Sequence, residues 1–340
     1  MTIERTQRLK ARARDLEWFR DNVSCMSACP VRTDAGRYVQ LIAKGRDRDA
    51  LLVARSPNPL ATVCGRVCAA PCEDACRRGN IDEPVAIRAL KRFVTERHGA
   101  ESDHPEAADQ LFQGRNDTGY QRPWSLPEQS KRGRRAPDKR VAVIGAGPAG
   151  IACAHDLAVL GYPVTLIEST EELGGMMRHG VPEYRLPHGA MDSELSVLRT
   201  LGVELRMSAP LAGPHGLSDL KSEGFDAIFI GVGAWRGRDL HVDGSELDGV
   251  IKAVDYLLNI NHGYRVNLGE KVLVIGGGSV ALDAARTAIM QDAMTEPSLH
   301  DELVDESMKA TLDAARTALR SGAREVHIAS LESMDEMPAA

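Results

Sequence analysis

Aromatic residues are scarce in this chain, 4% of 340 residues, and nowhere do they interleave with lysine or arginine along a basic stripe. Together with a formal net charge of −6, that absence removes the footprint of a nucleic-acid surface. Long apolar runs are missing as well. No window of about eighteen residues is both uncharged and apolar, so no membrane-crossing helix is expected. The first twenty residues, MTIERTQRLKARARDLEWFR, are charged throughout and lack the apolar stretch of a secretory signal. A cytoplasmic protein is the resulting expectation. Cysteines in a reducing compartment stay reduced, which favours metal or cluster ligation over a disulfide framework. The 43% apolar content suffices for a full core, and the length suits two to three domains.

Cysteine is absent from the C-terminal half and concentrated near the N-terminus. Six of the seven fall within about fifty residues: Cys25, Cys29, Cys64, Cys68, Cys72 and Cys76. Cys25-x3-Cys29-Pro30 matches the tail of an iron–sulfur ligand run, and the other four follow at a regular x3 spacing. A structural zinc site also uses closely spaced thiolates, but it takes C-x2-4-C pairs in two sets. A run ending in Cys-Pro, with no paired histidines nearby, fits clusters better; zinc and unligated core thiols remain the alternatives. Cys153 lies apart, between alanines near the start of a predicted helix, and is expected to be a small buried side chain.

Residues 1–99 read as helical. Apolar residues recur at three-to-four spacing over 36–55 (GRYVQLIAKGRDRDALLVAR), and 85–97 (VAIRALKRFVTER) puts Ile87, Leu90 and Val94 on one face, over the cysteine loops. Residues 100–139 are a linker by composition, ending in the basic cluster Lys131-Arg132-Gly133-Arg134-Arg135, read as solvated surface. At Arg140 the texture changes. Val141-Ala142-Val143-Ile144, a glycine turn, a helical pattern and Val164-Thr165-Leu166-Ile167 make a βαβ unit. Ala227-Ile228-Phe229-Ile230 reads as a further buried strand, a helix follows near 253–260, and Val272-Leu273-Val274-Ile275 opens a second βα unit. The heptapeptide LDAARTA occurs at 282–288 and again at 312–318. The acidic stretch between the copies reads as an insertion, about 289–311, that extends or splits the first helix.

Two dinucleotide fingerprints carry the chemistry. In Gly145-Ala-Gly147-Pro-Ala-Gly150, between strand and helix, the first glycine permits a tight turn, the second lets backbone approach a pyrophosphate, and the third lets helix and strand pack. Glu168, ending the next strand, is the expected acceptor for ribose hydroxyls. Gly276-Gly-Gly278-Ser279-Val280-Ala281 repeats the pattern, with alanine as an accepted last residue. Two such sites in one chain point to FAD in one and a nicotinamide cofactor in the other, with hydride passing between them. A thioredoxin-reductase-like disulfide reductase shares this layout but needs a C-x2-C pair beside the nicotinamide domain, and none is present.

Nearly the whole chain resembles the small (beta) subunit of bacterial glutamate synthase and its relatives, among them the N-terminal half of dihydropyrimidine dehydrogenase. The resemblance rests on Cys25-x3-Cys29-Pro30, Asn58-Pro59-Leu60 running into Cys64-Gly-Arg-Val-Cys68, and Cys72-Glu-x2-Cys76. Further on it rests on both fingerprints, Gly174-Gly175-Met176, residues 181–187 (VPEYRLP) and Met337-Pro338. It implies an α-helical N-terminal iron–sulfur domain (1–99) followed by α/β two-dinucleotide-binding, Rossmann-like FAD (140–240) and NAD(P) (241–340) domains, the last incomplete. It also implies that Gly175, Met176 and Arg185 lie along the FAD, with Gly233 in a glycine turn near it.

Three departures follow from the same resemblance. Relatives carry an extra C-x2-C pair before the position of Cys25 and hold two [4Fe–4S] clusters. Carried over, Cys29, Cys68 and Cys72 serve one cluster, and Cys25 and Cys76 the other, which then lacks two thiolates; one cluster is expected, completed by Cys64 or Cys76. Lys91 stands where relatives use a non-cysteine ligand, and a protonated lysine cannot ligate iron. Next, Glu332 stands where NADPH-specific relatives place arginine; a carboxylate there repels a 2′-phosphate, so NADH is favoured over NADPH. Finally, relatives continue beyond Met337-Pro338 to return to the flavin domain, so the chain is expected to be a fragment or half of a split enzyme. The expected function is electron transfer from NAD(P)H through FAD to a [4Fe–4S] cluster and on to a partner, either a ferredoxin or a subunit like the glutamate synthase large subunit. No side chain is assigned as acid or base. The competing expectation is a non-catalytic docking scaffold.

Overall fold

The structure, a computed structural model, describes residues 18, 21–56, 58–102, 138–211, 216–269, 271–293 and 327–329. The chain divides into two compact units, Met1–Glu128 and Gln129–Ala340. Glu332, Met337-Pro338, the basic cluster, the second heptapeptide and most of the proposed linker and insertion lie outside the described residues.

In the first unit, helices α1 (Ser24–Ser27), α2 (Ala35–Ala43), α3 (Asp47–Arg55), α4 (Ala61–Val67), α5 (Pro71–Asp74) and α6 (Ile87–His98) surround one core. The helix pattern read across 36–55 is two helices. Asp34 caps α2 by accepting from the Arg37 backbone N–H at 3.1 Å, and Gly45, at φ +68°, turns the chain out of it. Asp47 and Asp49 then supply negative charge to the first turn of α3. Tyr38, Leu51, Val53, Ile87 and Val94 form the centre, and the Tyr38 hydroxyl donates to the Ile87 carbonyl at 2.9 Å. Helices α4 and α6 approach so closely that a Cβ on Gly65 would sit 2.9 Å from the Arg92 Cα. Arg66, on α4, pairs with Glu101 at 2.7 Å and Glu96 at 3.0 Å, fixing the end of α6.

The second unit contains a four-stranded parallel sheet in the order β3-β2-β1-β4. Its strands are β1 (Val141–Ile144), β2 (Val164–Ile167), β3 (Glu204–Arg206) and β4 (Ala227–Ile230). Helix α7 (Pro148–Val159) joins β1 to β2, as the βαβ pattern predicts. Both central strands are buried throughout. The expectation that β4 is buried is corrected: among the described residues it is an edge strand, paired with β1 alone, and Ile230 is 57% exposed. Its apolar sequence reported hydrophobicity, and hydrophobicity does not say how many neighbours a strand has. Cys153 on α7 is likewise half-buried rather than buried, at the margin of the buried stripe formed by Gly150, Ile151 and Ala154.

Helices α8 (Met176–His179), α9 (His188–Leu195), α10 (Val197–Thr200) and α11 (Gly216–Ser222) complete this part. Beyond β4, helix α12 (Ala253–Asn261) packs Tyr256 and Leu257 against Ala284 and Ala288 of α13 (Ser279–Ala293). Strands β5 (Leu273–Ile275) and β6 (His327–Ala329) pair in parallel, with Leu273 opposite His327. Among the described residues, no helix is long and apolar enough to cross a membrane.

Candidate functional site

The first fingerprint forms the wall of a cavity of about 390 Å³ at the carboxyl ends of β1 and β2. Gly145 holds φ +96°, and a Cβ on Gly150 would fall 1.8 Å from the Gly145 carbonyl oxygen, so the turn and α7 fit only with glycine at both places. Gly147, Pro148 and Ala149 put the N-terminus of this twelve-residue helix against the cavity, the arrangement that receives a phosphate anion. Gly175, Met176 and Gly233 line it too, as does Trp235, which sequence reasoning missed.

Glu168 lines the same cavity at 5% exposure. Its Oε2 accepts from the Ala146 N–H at 2.7 Å, and Oε1 accepts from Ser169 Oγ at 2.9 Å and the Thr170 N–H at 3.0 Å. Burial alone would raise its pKa, but these donors outweigh burial and hold the carboxyl below the usual glutamate range. The carboxylate therefore braces the fingerprint turn as well as facing the cavity.

Arg185 does not line this cavity. Its Nη1 lies 2.7 Å from Asp283 Oδ2 on α13, and the Tyr184 hydroxyl donates to Asp283 Oδ1 at 3.3 Å. Burial raises the Asp283 carboxyl, with Arg185 opposing. A carboxylate inside an alanine-rich helix was the sequence signal for this pair. His179, behind Trp235 at 5.5 Å between ring centroids, shares a 3.1 Å contact between its Nδ1 and Nε2 of His262. Burial first, then His262, holds it below the usual histidine range.

At the second fingerprint Gly276 takes φ +123° and α13 begins at Ser279. A Cβ on Gly278 would meet nothing within 4 Å. Packing does not demand a glycine there, and the space over its Cα is open. Val280 is 49% exposed, and the Ala281 Cβ lies 3.5 Å from where a Cβ on Gly276 would be.

In the first unit all six cysteines are half-buried free thiols. Cys64 on α4 and Cys68 at its C-cap hydrogen-bond to each other, which lowers the Cys68 pKa and raises that of Cys64. Asn58 Nδ2 donates to Cys64 Sγ at 2.9 Å, and the Ala70 N–H to Cys68 Sγ at 3.4 Å. Burial pushes Cys72 up to about 11, and raises Cys25; backbone donors, Val85 first, lower Cys76. Among the described residues no three His, Cys, Asp or Glu side chains gather closely enough to hold a single metal ion. A four-iron cluster binds each thiolate on a different iron and needs a wider cage. N–H donors directed at thiol sulfurs suit that ligand set.

Residues 10–103 match a family described as dihydropyrimidine dehydrogenase domain II, 4Fe-4S cluster, and residues 139–320 match pyridine nucleotide-disulphide oxidoreductase. The chain is 36% identical over 318 residues to the NADP(+)-dependent formate dehydrogenase subunit beta of Moorella thermoacetica, covering 93% of this chain and 40% of that one. It is 34% identical to a homolog of the NAD-dependent dihydropyrimidine dehydrogenase subunit PreT of Salmonella typhi, covering 77% and 58%. To the glutamate synthase [NADPH] small chain of Halomonas elongata it is 32% identical, covering 80% and 55%. The chain thus spans 40% to 58% of the length of these relatives. The likeness to the glutamate synthase small chain and its relatives, read from the motifs, is borne out.

Proposed function

The chain belongs to the pyridine nucleotide-disulphide oxidoreductase family, and on that premise we propose that it carries electrons from NAD(P)H through FAD to a [4Fe–4S] cluster and on to a partner protein. The observation that carries this reading is the glycine-walled cavity at the head of α7, in a chain whose other unit holds six half-buried cysteines. Bound flavin supplies a centre that takes two electrons from a nicotinamide and releases them singly to a cluster.

The protein's own part is binding and alignment. Gly145, Gly147 and Gly150 with the α7 N-terminus receive the pyrophosphate of FAD. Glu168, ionised and fixed, presents an acceptor to the ribose, and Gly175, Met176 and Gly233 border the remaining space. Gly276, Gly278, Ser279, Val280 and Ala281 receive the nicotinamide cofactor, with Glu332 favouring NADH. Arg185, clamped by Asp283, ties the flavin segment to the second fingerprint helix and so sets the alignment of the two cofactors. The cluster draws its thiolates from Cys25, Cys29, Cys64, Cys68, Cys72 and Cys76. No side chain acts as acid or base.

A second reading, a docking module without catalysis, draws on the apolar exposure of Ile230, Leu273 and Ile275, which are 57%, 63% and 59% exposed. Iron, acid-labile sulfide and flavin per chain after anaerobic purification and reconstitution separate the two. Roughly four irons with sulfide and one flavin support the relay; a colourless protein with neither supports docking.

A further inference from the structure

Lys91 occupies a position that its helix otherwise gives to the core. It stands between Ile87 and Val94 on the inner face of α6, and is 9% exposed. An ammonium taken that far from water needs an anion beside it. Among the described residues no carboxylate pairs with it and no acceptor hydrogen-bonds to it; its ring neighbour is Tyr38, 6.0 Å from the ammonium. Cys72 packs against the same core cluster, which includes Tyr38, Ile87 and Val94. Arg88, one turn earlier, donates to the Cys68 carbonyl at 2.6 Å, so α6 runs beside the cysteine segment with Lys91 on its buried face.

We propose that Lys91 is the built-in counter-charge of the cluster held by Cys68 and Cys72, a positioning residue that raises the cluster's reduction potential. The inference rests on the reading that these thiols hold a [4Fe–4S] cluster. Four thiolates leave such a cluster a dianion when oxidised and a trianion when reduced. One added electron is the only change, and no proton or ligand is exchanged. A fixed positive charge attracts the trianion more strongly, so it favours the reduced form. The ammonium has no lone pair for iron and acts through the field alone. Its deep placement keeps that field from being screened as it is at a surface.

The test compares the full wild-type chain with Lys91→Gln and Lys91→Arg, all purified anaerobically, for iron and sulfide content and for the cluster's midpoint potential by redox titration followed by electron paramagnetic resonance. The expected result is a Lys91→Gln cluster about tenfold harder to reduce, about 59 mV lower for one electron, with Lys91→Arg close to wild type. Loss of iron in Lys91→Gln but not in Lys91→Arg also supports a charge role. An iron-loaded Lys91→Gln protein with the wild-type potential overturns the proposal, as does equal loss of iron in both variants, which would mark a packing role. Iron-free wild-type protein overturns the relay reading first, and the counter-charge with it.

Discussion

Arg185 and Asp283 form an ion pair 2.7 Å long between side chains that are 25% and 6% exposed. The two residues are 98 apart in sequence, one following α8 beside the first fingerprint's cavity and the other inside the helix that the second fingerprint opens. Removing one partner strands the other, and Asp283→Ala is expected to cost about 2–3 kcal/mol, less than a fully buried pair because Arg185 is partly hydrated. Urea denaturation measures that loss. A cost within 0.5 kcal/mol, a rough surface-substitution value, would show that the pair does not hold these segments together.

Gly150→Ala places a methyl group where the Gly145 carbonyl oxygen already sits, 1.8 Å away. Helix α7 must shift, and the cavity wall with it. Flavin bound per chain after reconstitution should drop severalfold, with a lower melting temperature. Undiminished flavin would mean that the turn is not the cofactor's cradle.

Glu168 makes the fingerprint turn sensitive to acid. Its folded pKa lies below the ordinary value of 4.5, so its stabilisation is complete above that value and is lost as pH falls through the lower folded pKa. Glu168→Gln keeps the shape but sets an amide donor against the Ala146 or Thr170 N–H, an expected cost of about 1–3 kcal/mol at neutral pH. The stability of the variant should change less than that of wild type between pH 5 and 3, an acid range chosen to span the lost titration. Parallel acid profiles for the two proteins would refute the assignment.

Cys153 is half-buried on α7, away from the other six thiols in sequence. Cys153→Ala is expected to change stability by less than about 1 kcal/mol and to leave iron content unchanged, measured beside Cys72→Ser. Iron loss in Cys153→Ala would require a different ligand set.

The local features of the second unit were legible because they are short-range. β-Branched runs at 141–144 and 164–167 with glycines between them allow one local solution, and it formed. The break at Gly45 lies in the polar stretch 44–49 (KGRDRD), and the three-to-four apolar spacing present on each side of it was read as one pattern. Edge exposure of β4 was hidden for another reason: it depends on what pairs beyond it. Trp235, His179 and His262 come together only through tertiary contacts, and no spacing announces them. Lys91 was visible as a departure from a ligand pattern, but its burial required the packed helix.

The most direct test of the electron path is to add NADH, and separately NADPH, to the anaerobic, iron-loaded chain and to its Cys72→Ser variant, following flavin absorbance and cluster resonance together. The wild-type chain should bleach its flavin and develop the signal of a reduced [4Fe–4S] cluster, with NADH the better donor. Cys72→Ser should bleach its flavin and show no such signal. Flavin bleaching in iron-loaded wild type with no cluster reduction by either donor would contradict the relay.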